Sequence, residues 1–170
     1  MKKVKDIGYE SIQVSGFGPI DPFRLKDIVD KFGLEICVTH ITYDRLTNDI
    51  DSVIRDHKLW MCKYVGLGAM PQQYRCNFEG YYEFIQNISV VAERLSQSGL
   101  QFVYHNHKFE FEKFGDKIGL DILFENTDPK TFGFEIDTYW VQAGGANPVD
   151  WIKKVEGRMA VVHFNRSFDL

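Results

Sequence analysis

The chain has 170 residues, 44% apolar and 26% charged, proportions that suit one domain with a sizeable core. Its net charge of −4 argues against nucleic acid as the main partner, since phosphate binding needs a basic surface. No run approaches the ~20 consecutive apolar residues of a membrane span, so no membrane role is expected.

Met1 to Gly8 has no long apolar stretch and does not read as a secretory signal. It reads as the end of a helix closed by Gly8, before a first strand at Ser11 to Val14. Asp21-Pro22 sets a capping carboxylate before a proline at the first helical position. Leu25, Ile28, Val29 and Phe32 then fall on one helical stripe, which Gly33 ends. Leu34 to Val38 is an apolar strand in which Cys37 reads as core packing. With Cys62 and Cys76 it makes three cysteines without Cys-x-x-Cys spacing, which opposes a disulfide framework or zinc ribbon and fits a cytoplasmic setting. Ile50, Val53 and Ile54 start a second stripe, with His57 inside a charged helix, and Tyr64 to Leu67 is the next strand. Asn77 caps a third helix carrying Phe84, Ile88, Val91, Ala92 and Leu95, ended by Gly99 before a strand over Leu100 to Tyr104. Phe132 to Ile136 is a fifth strand. Asn147-Pro148 opens a helix with Val149, Ile152 and Val155, and Gly157 precedes a sixth strand at Met159 to Val162. The phrase helix-glycine-strand thus recurs at Gly8, Gly33, Gly99 and Gly157, each a natural left-handed cap. Short apolar strands alternating with helices predict a parallel sheet with right-handed crossovers.

The polar groups collect where these strands end. His40 follows Val38-Thr39, His105 and His107 follow Tyr104, Asp137 follows Ile136, and His163 follows Val162. Alternation puts His105 and His107 on one face. A lone histidine at a strand end is ordinarily a hydrogen-bonded structural residue, and Asp137 alone reads equally as a helix cap. Their recurrence at one sheet edge, where α/β folds bind ligands, points to a site. His, Asp and Glu together suit a divalent metal (Mn, Co, Zn or Mg), with imidazole weighing against a pure Mg site. Such a metal could polarise a sugar-like substrate and stabilise the enediolate left when a base removes the α-proton.

Five stretches carry a resemblance: Thr39-His40-Ile41-Thr42-Tyr43-Asp44, Tyr104-His105-Asn106-His107-Lys108-Phe109-Glu110-Phe111, Phe134-Glu135-Ile136-Asp137-Thr138-Tyr139-Trp140, Ala143-Gly144-Gly145-Ala146-Asn147-Pro148 and Val161-Val162-His163-Phe164. With these the chain resembles the sugar phosphate isomerase/epimerase family, the xylose isomerase-like or AP-endonuclease-family-2 TIM barrels. The resemblance implies a divalent metal held by Glu, Asp, His and Glu from four strands. Asp137 and His163 match the central pair, and the first position stays open between His105 and Glu110. His40, His107, Tyr139 and Trp140 match substrate-pocket positions, although Tyr139 and Trp140 read equally as core packing. His107 and Glu110 stand as the catalytic candidates.

The chain also departs from the family. It opens inside the first helix of the pattern, with Val4 and Ile7 in its last turns, so the first strand is missing. After His163 the family continues with Lys-Asp, whereas Asn165 to Leu170 follow here, and the last strand with its metal-binding Glu has no counterpart. The expected architecture is a single partial (β/α) TIM-barrel domain of about six parallel strands. Its open edges would invite a homo-oligomer to cover them. The implied activity is isomerisation or epimerisation of a sugar or sugar-like keto compound. A lyase or dehydratase sharing the enediolate is one alternative, and a non-catalytic remnant or interaction subunit is another. The endonuclease branch needs a multi-metal cluster and a basic groove, which the acidic balance opposes.

Overall fold

In the computed structural model, which describes residues 1–16 and 18–165, six parallel strands form one sheet. They are β1 (Ser11–Val14), β2 (Glu35–Ile41), β3 (Tyr64–Leu67), β4 (Gln101–His105), β7 (Phe132–Asp137) and β8 (Val161–His163), paired in that order. A small antiparallel hairpin, β5 (Lys113–Phe114) and β6 (Lys117–Ile118), lies between β4 and β7 in the chain. The expected helices form as α1 (Lys2–Ile7), α2 (Pro22–Lys31), α4 (Ile50–Trp60), α5 (Phe78–Gln97) and α8 (Pro148–Lys154). Three short ones, α3 (Tyr43–Asn48), α6 (Gly119–Asn126) and α7 (Thr138–Ala143), complete the set among the described residues. The departure from the family pattern at Arg166 to Leu170 lies outside those residues.

Local chemistry explains the punctuation. Asp21, Asn77 and Asn147 accept from the backbone N–H groups of Arg24, Gly80 and Val149 at 2.9, 2.8 and 2.9 Å. Each satisfies an orphan donor of a helix start. Gly8, Gly33, Gly99 and Gly157 all have positive φ, which a side chain would strain.

The convex face of the sheet carries the core. Tyr81, Phe84, Ile88, Ala92 and Leu95 of α5 cluster with Phe102, Tyr104, Phe132 and Phe134. Burying each such large apolar side chain contributes about 1.5–3 kcal/mol. A second cluster joins Leu25 and Val29 of α2 to Ile36, Trp60 and Cys62. One expectation needs correction here. Cys37 is only half-buried; it is the extra residue of a β-bulge in the β1–β2 pairing, its Sγ donating to the Ile12 carbonyl at 3.3 Å. His57, inside the charged helix α4 as expected, is fully buried, with Nδ1 donating to Val53 O and Nε2 accepting from Thr39 Oγ1, both at 2.7 Å. Burial lowers its pKa to about 4, so it is neutral at ordinary pH.

The sheet curls strongly. Gln13 on β1 hydrogen-bonds His163 on β8, so side chains of the first and last strands meet although the strands do not pair. The result is an incomplete barrel whose concave face holds the polar residues. Among the described residues no helix is long and apolar enough to cross a membrane.

Candidate metal and substrate site

Parallel strands all end at one rim, so residues far apart in sequence meet there. His40 lies in β2, while His105, Asp137 and His163 are the last residues of β4, β7 and β8. The His105 ring is the hub: the centroids of His40, His107 and His163 lie 5.0, 4.9 and 4.8 Å from it. Two glycines of β3 and the loop after it make room for His40. A Cβ on Gly66 would stand 2.4 Å from Thr39 O and 2.9 Å from His40 Cδ2; one on Gly68 would stand 2.9 Å from His40 Nδ1.

His105, Asp137 and His163 form the tightest group. His105 Nε2 lies 3.4 Å from Asp137 Oδ2 and 3.0 Å from His163 Nδ1, and His163 Nδ1 lies 3.4 Å from Asp137 Oδ2. Ligand atoms about 2.1 Å from a common metal stand about 3.0 Å apart in an octahedron and about 3.4 Å apart in a tetrahedron. Three atoms at 3.0–3.4 Å therefore fit around one ion. Asp137 is held for this by its other groups. Its Oδ1 caps α7 by accepting from Tyr139 N at 2.9 Å and Trp140 N at 3.2 Å. Buried Asn106 accepts from the Asp137 N–H at 2.9 Å. Cap and site residue are thus one residue using different oxygens.

The far nitrogens of the two imidazoles are also engaged. His105 Nδ1 faces the Gly68 carbonyl at 3.1 Å, and His163 Nε2 faces Glu135 Oε1 at 3.2 Å and Gln13 Oε1. All these partners accept, so both far nitrogens carry the proton and the near nitrogens present lone pairs. Two lone pairs then converge on a carboxylate oxygen, an arrangement that calls for a cation. A proton serves where no other cation is bound. The hydrogen bond to Asp137 raises the His163 pKa. Burial alone would raise that of Asp137, but the proton held between it and the His105 and His163 rings, with the bond from the Trp140 N–H, outweighs burial and holds the carboxyl well below its usual range.

Glu135 and Gln13 were not among the residues expected here. Glu135 is 1% exposed, yet its two oxygens touch two different imidazoles: Oε1 faces His163, and Oε2 lies 2.8 Å from His40 Nε2. Gln13 Nε2 lies 2.8 Å from the same His40 nitrogen, and Ser15 Oγ lies 3.1 Å from His40 Nδ1. A carboxylate inside the otherwise apolar run Phe132 to Ile136 was the signal for Glu135; nothing local marks Gln13.

Glu110 stands apart from the three-residue group. It lies in a turn that folds it beneath β4, where it is wholly buried. Its Oε1 accepts from Tyr104 Oη at 2.6 Å and its Oε2 from the His107 N–H at 2.8 Å. Burial pushes its pKa up to about 7 against those bonds. Glu110 thereby anchors the backbone of His107, whose ring packs between Phe109 and Trp140 at 5.8 and 5.3 Å. Burial, then the neighbouring His105 and Arg75, lower the His107 pKa to about 4. Its Nδ1 is buried without a partner among the described residues. Tyr139 and Trp140 are half-buried, their rings tilted at 60° with centroids 4.7 Å apart. Ser15, His40 and Thr42 line two neighbouring cavities, of about 740 Å³ toward α2 and about 420 Å³ toward Arg75.

No protein-family model matches the chain, and no curated protein matches it. Solved structures do. A sugar phosphate isomerase/epimerase from Parabacteroides distasonis ATCC 8503 superimposes with a TM-score of 0.82 at 23% identity, over 96% of this chain and 70% of that one. The probable 3-DHS dehydratase AsbF from Bacillus anthracis gives 0.72 at 16%, over 95% and 64%. D-psicose 3-epimerase from Clostridium cellulolyticum H10 gives 0.69 at 12%, also over 95% and 64%. Xylose isomerase-domain and AP endonuclease family 2 proteins share the fold as well. At these identities the likeness is one of fold, and the chain spans about two thirds of each of the three named proteins.

Proposed function

We propose that this chain builds a divalent-metal site for isomerising or epimerising a sugar or sugar-like keto compound through an enediolate. The observation that carries the reading is the convergence of His105 Nε2, Asp137 Oδ2 and His163 Nδ1 at 3.0–3.4 Å, with both imidazoles oriented from behind. These three residues hold the metal, and Mn, Co or Zn suits two imidazoles and a carboxylate better than Mg. When bound, the metal supplies a Lewis acid for a carbonyl and an adjacent hydroxyl. His40 is seated against Glu135 through Nε2 and presents Nδ1 beside Ser15 to the cavities, where it can exchange the substrate α-proton. His107 offers its unpartnered Nδ1 to a substrate hydroxyl, and Glu110 fixes its position. Trp140 and Tyr139 supply an apolar wall for a sugar face.

The same reading places the protein in the cytoplasm as one domain, with no membrane or nucleic-acid partner. Among the described residues nothing pairs with the outer sides of β1 and β8, which favours a homo-oligomer that covers them. Light scattering that finds only monomer removes this part. The decisive experiment incubates the metal-loaded chain with a panel of ketoses in deuterated water. Deuterium at the α-carbon, lost in His163→Ala, supports proton abstraction. Isomer or dehydrated product then separates epimerase from dehydratase. No metal retention and no exchange with any ketose sinks the proposal.

A further inference from the structure

Glu135 is costly where it stands. It is 1% exposed on the concave face, two residues before Asp137, and a buried carboxylate needs strong compensation. Its compensation is unusual in joining two functions, one oxygen reaching His163 at 3.2 Å and the other His40 at 2.8 Å. Gln13 repeats the connection from the opposite edge of the sheet, its Oε1 on His163 and its Nε2 2.8 Å from His40. An imidazole offers one lone pair when neutral, so an acceptor behind Nε2 commits Nδ1 to whatever lies in front. In His163, Nδ1 faces His105 and Asp137.

We infer that Glu135 and Gln13 are positioning residues that fix His163 with its proton on Nε2 and its lone pair on Nδ1 toward the ion, and that Glu135 ties this orientation to the seat of His40. The inference rests on the metal reading above. A carboxylate placed there only to stabilise the fold would leave metal affinity unchanged when its charge is removed and its shape kept.

The test uses the full chain, with Co²⁺ as a coloured probe and Zn²⁺ for imidazole N–H resonances. Glu135→Gln is expected to weaken Co²⁺ binding about 10–100-fold, the usual effect of losing a group that orients a ligand. The Zn²⁺-loaded wild type is expected to show a slowly exchanging Nε2–H for His163, which Glu135→Gln shifts or loses. The Nδ1–H of His57, held by Val53 O, is the internal control and should not move. Should Glu135→Gln fail to fold, Gln13→Ala on the half-buried edge strand gives the same two readouts. Equal Co²⁺ affinity and an unchanged His163 N–H in either folded variant overturn the inference and leave the metal site standing. No Co²⁺ or Zn²⁺ binding by wild type overturns the metal reading and this inference with it.

Discussion

The seat of His40 gives the most direct test of the architecture, because two glycines bound it and they differ in what they touch. In Gly68→Ala the new Cβ would stand 2.9 Å from His40 Nδ1, where ordinary contact begins at 3.4 Å. The ring must therefore retreat by the difference, about 0.5 Å. That movement distorts the 2.8 Å contact with Glu135 and the 3.1 Å contact with Ser15. Overpacking of this kind costs about 1–3 kcal/mol, and the stiffer unfolded chain offsets about 0.4–1 kcal/mol. The net is a destabilisation of about 1–2 kcal/mol, or about 2–8 °C in Tm for a chain of this size. Gly66→Ala should be worse, since its Cβ meets the Thr39 carbonyl at 2.4 Å and that backbone belongs to the β2–β3 ladder. Urea unfolding of both variants, with Co²⁺ affinity on the same samples, measures the effect. Gly68→Ala as stable as wild type, with Gly66→Ala no worse, would refute the reasoning.

Metal in 100-fold excess over its dissociation constant should stabilise the wild type by about 2.7 kcal/mol, and a thermal melt should find most of that gain lost in Asp137→Asn. Such a variant keeps the Oδ1 cap of α7 but turns an amide N–H toward the ion. His57 makes stability depend on pH. Its folded pKa of about 4 lies below the ordinary 6.5, so the unfolded chain binds the proton first. Stability should therefore fall as pH drops from about 6.5 to about 4, by up to about 3 kcal/mol, and His57→Gln should flatten that slope in unfolding curves at pH 5 and 7. Trp140→Ala should raise KM more than it lowers kcat for any substrate found, and the opposite split would remove Trp140 from the pocket wall.

What could be read before the structure followed from what each signal needs. The strands, caps and left-handed glycines are local, each decided within a few residues, and Asp21, Asn77, Asn147 and Gly99 all behave as their types dictate. His40, His105, Asp137 and His163 were legible because parallel topology alone brings strand ends together. Gln13 was not, because its meaning lies in the curl that brings β1 against β8 and in the bulge at Cys37, neither of which has a local signature. Glu110 is separated from His107 by two residues, but the tight turn it occupies redirects its carboxylate under Tyr104. His57 lay hidden among Arg55, Asp56 and Lys58, since helical periodicity can bury one residue between exposed neighbours.

The contact between Gln13 and His163 spans 150 positions, nearly the whole chain. Closing so long a loop is entropically unfavourable, and contacts of such separation form late. The candidate centre is thus among the last parts of the molecule to assemble and among the first to come apart. Amide exchange should find β8 opening well before β4, whose neighbours flank it on both sides. An ion that draws His163 to His105 would protect both ends of the chain at once, so occupancy of the centre reports that folding has reached completion.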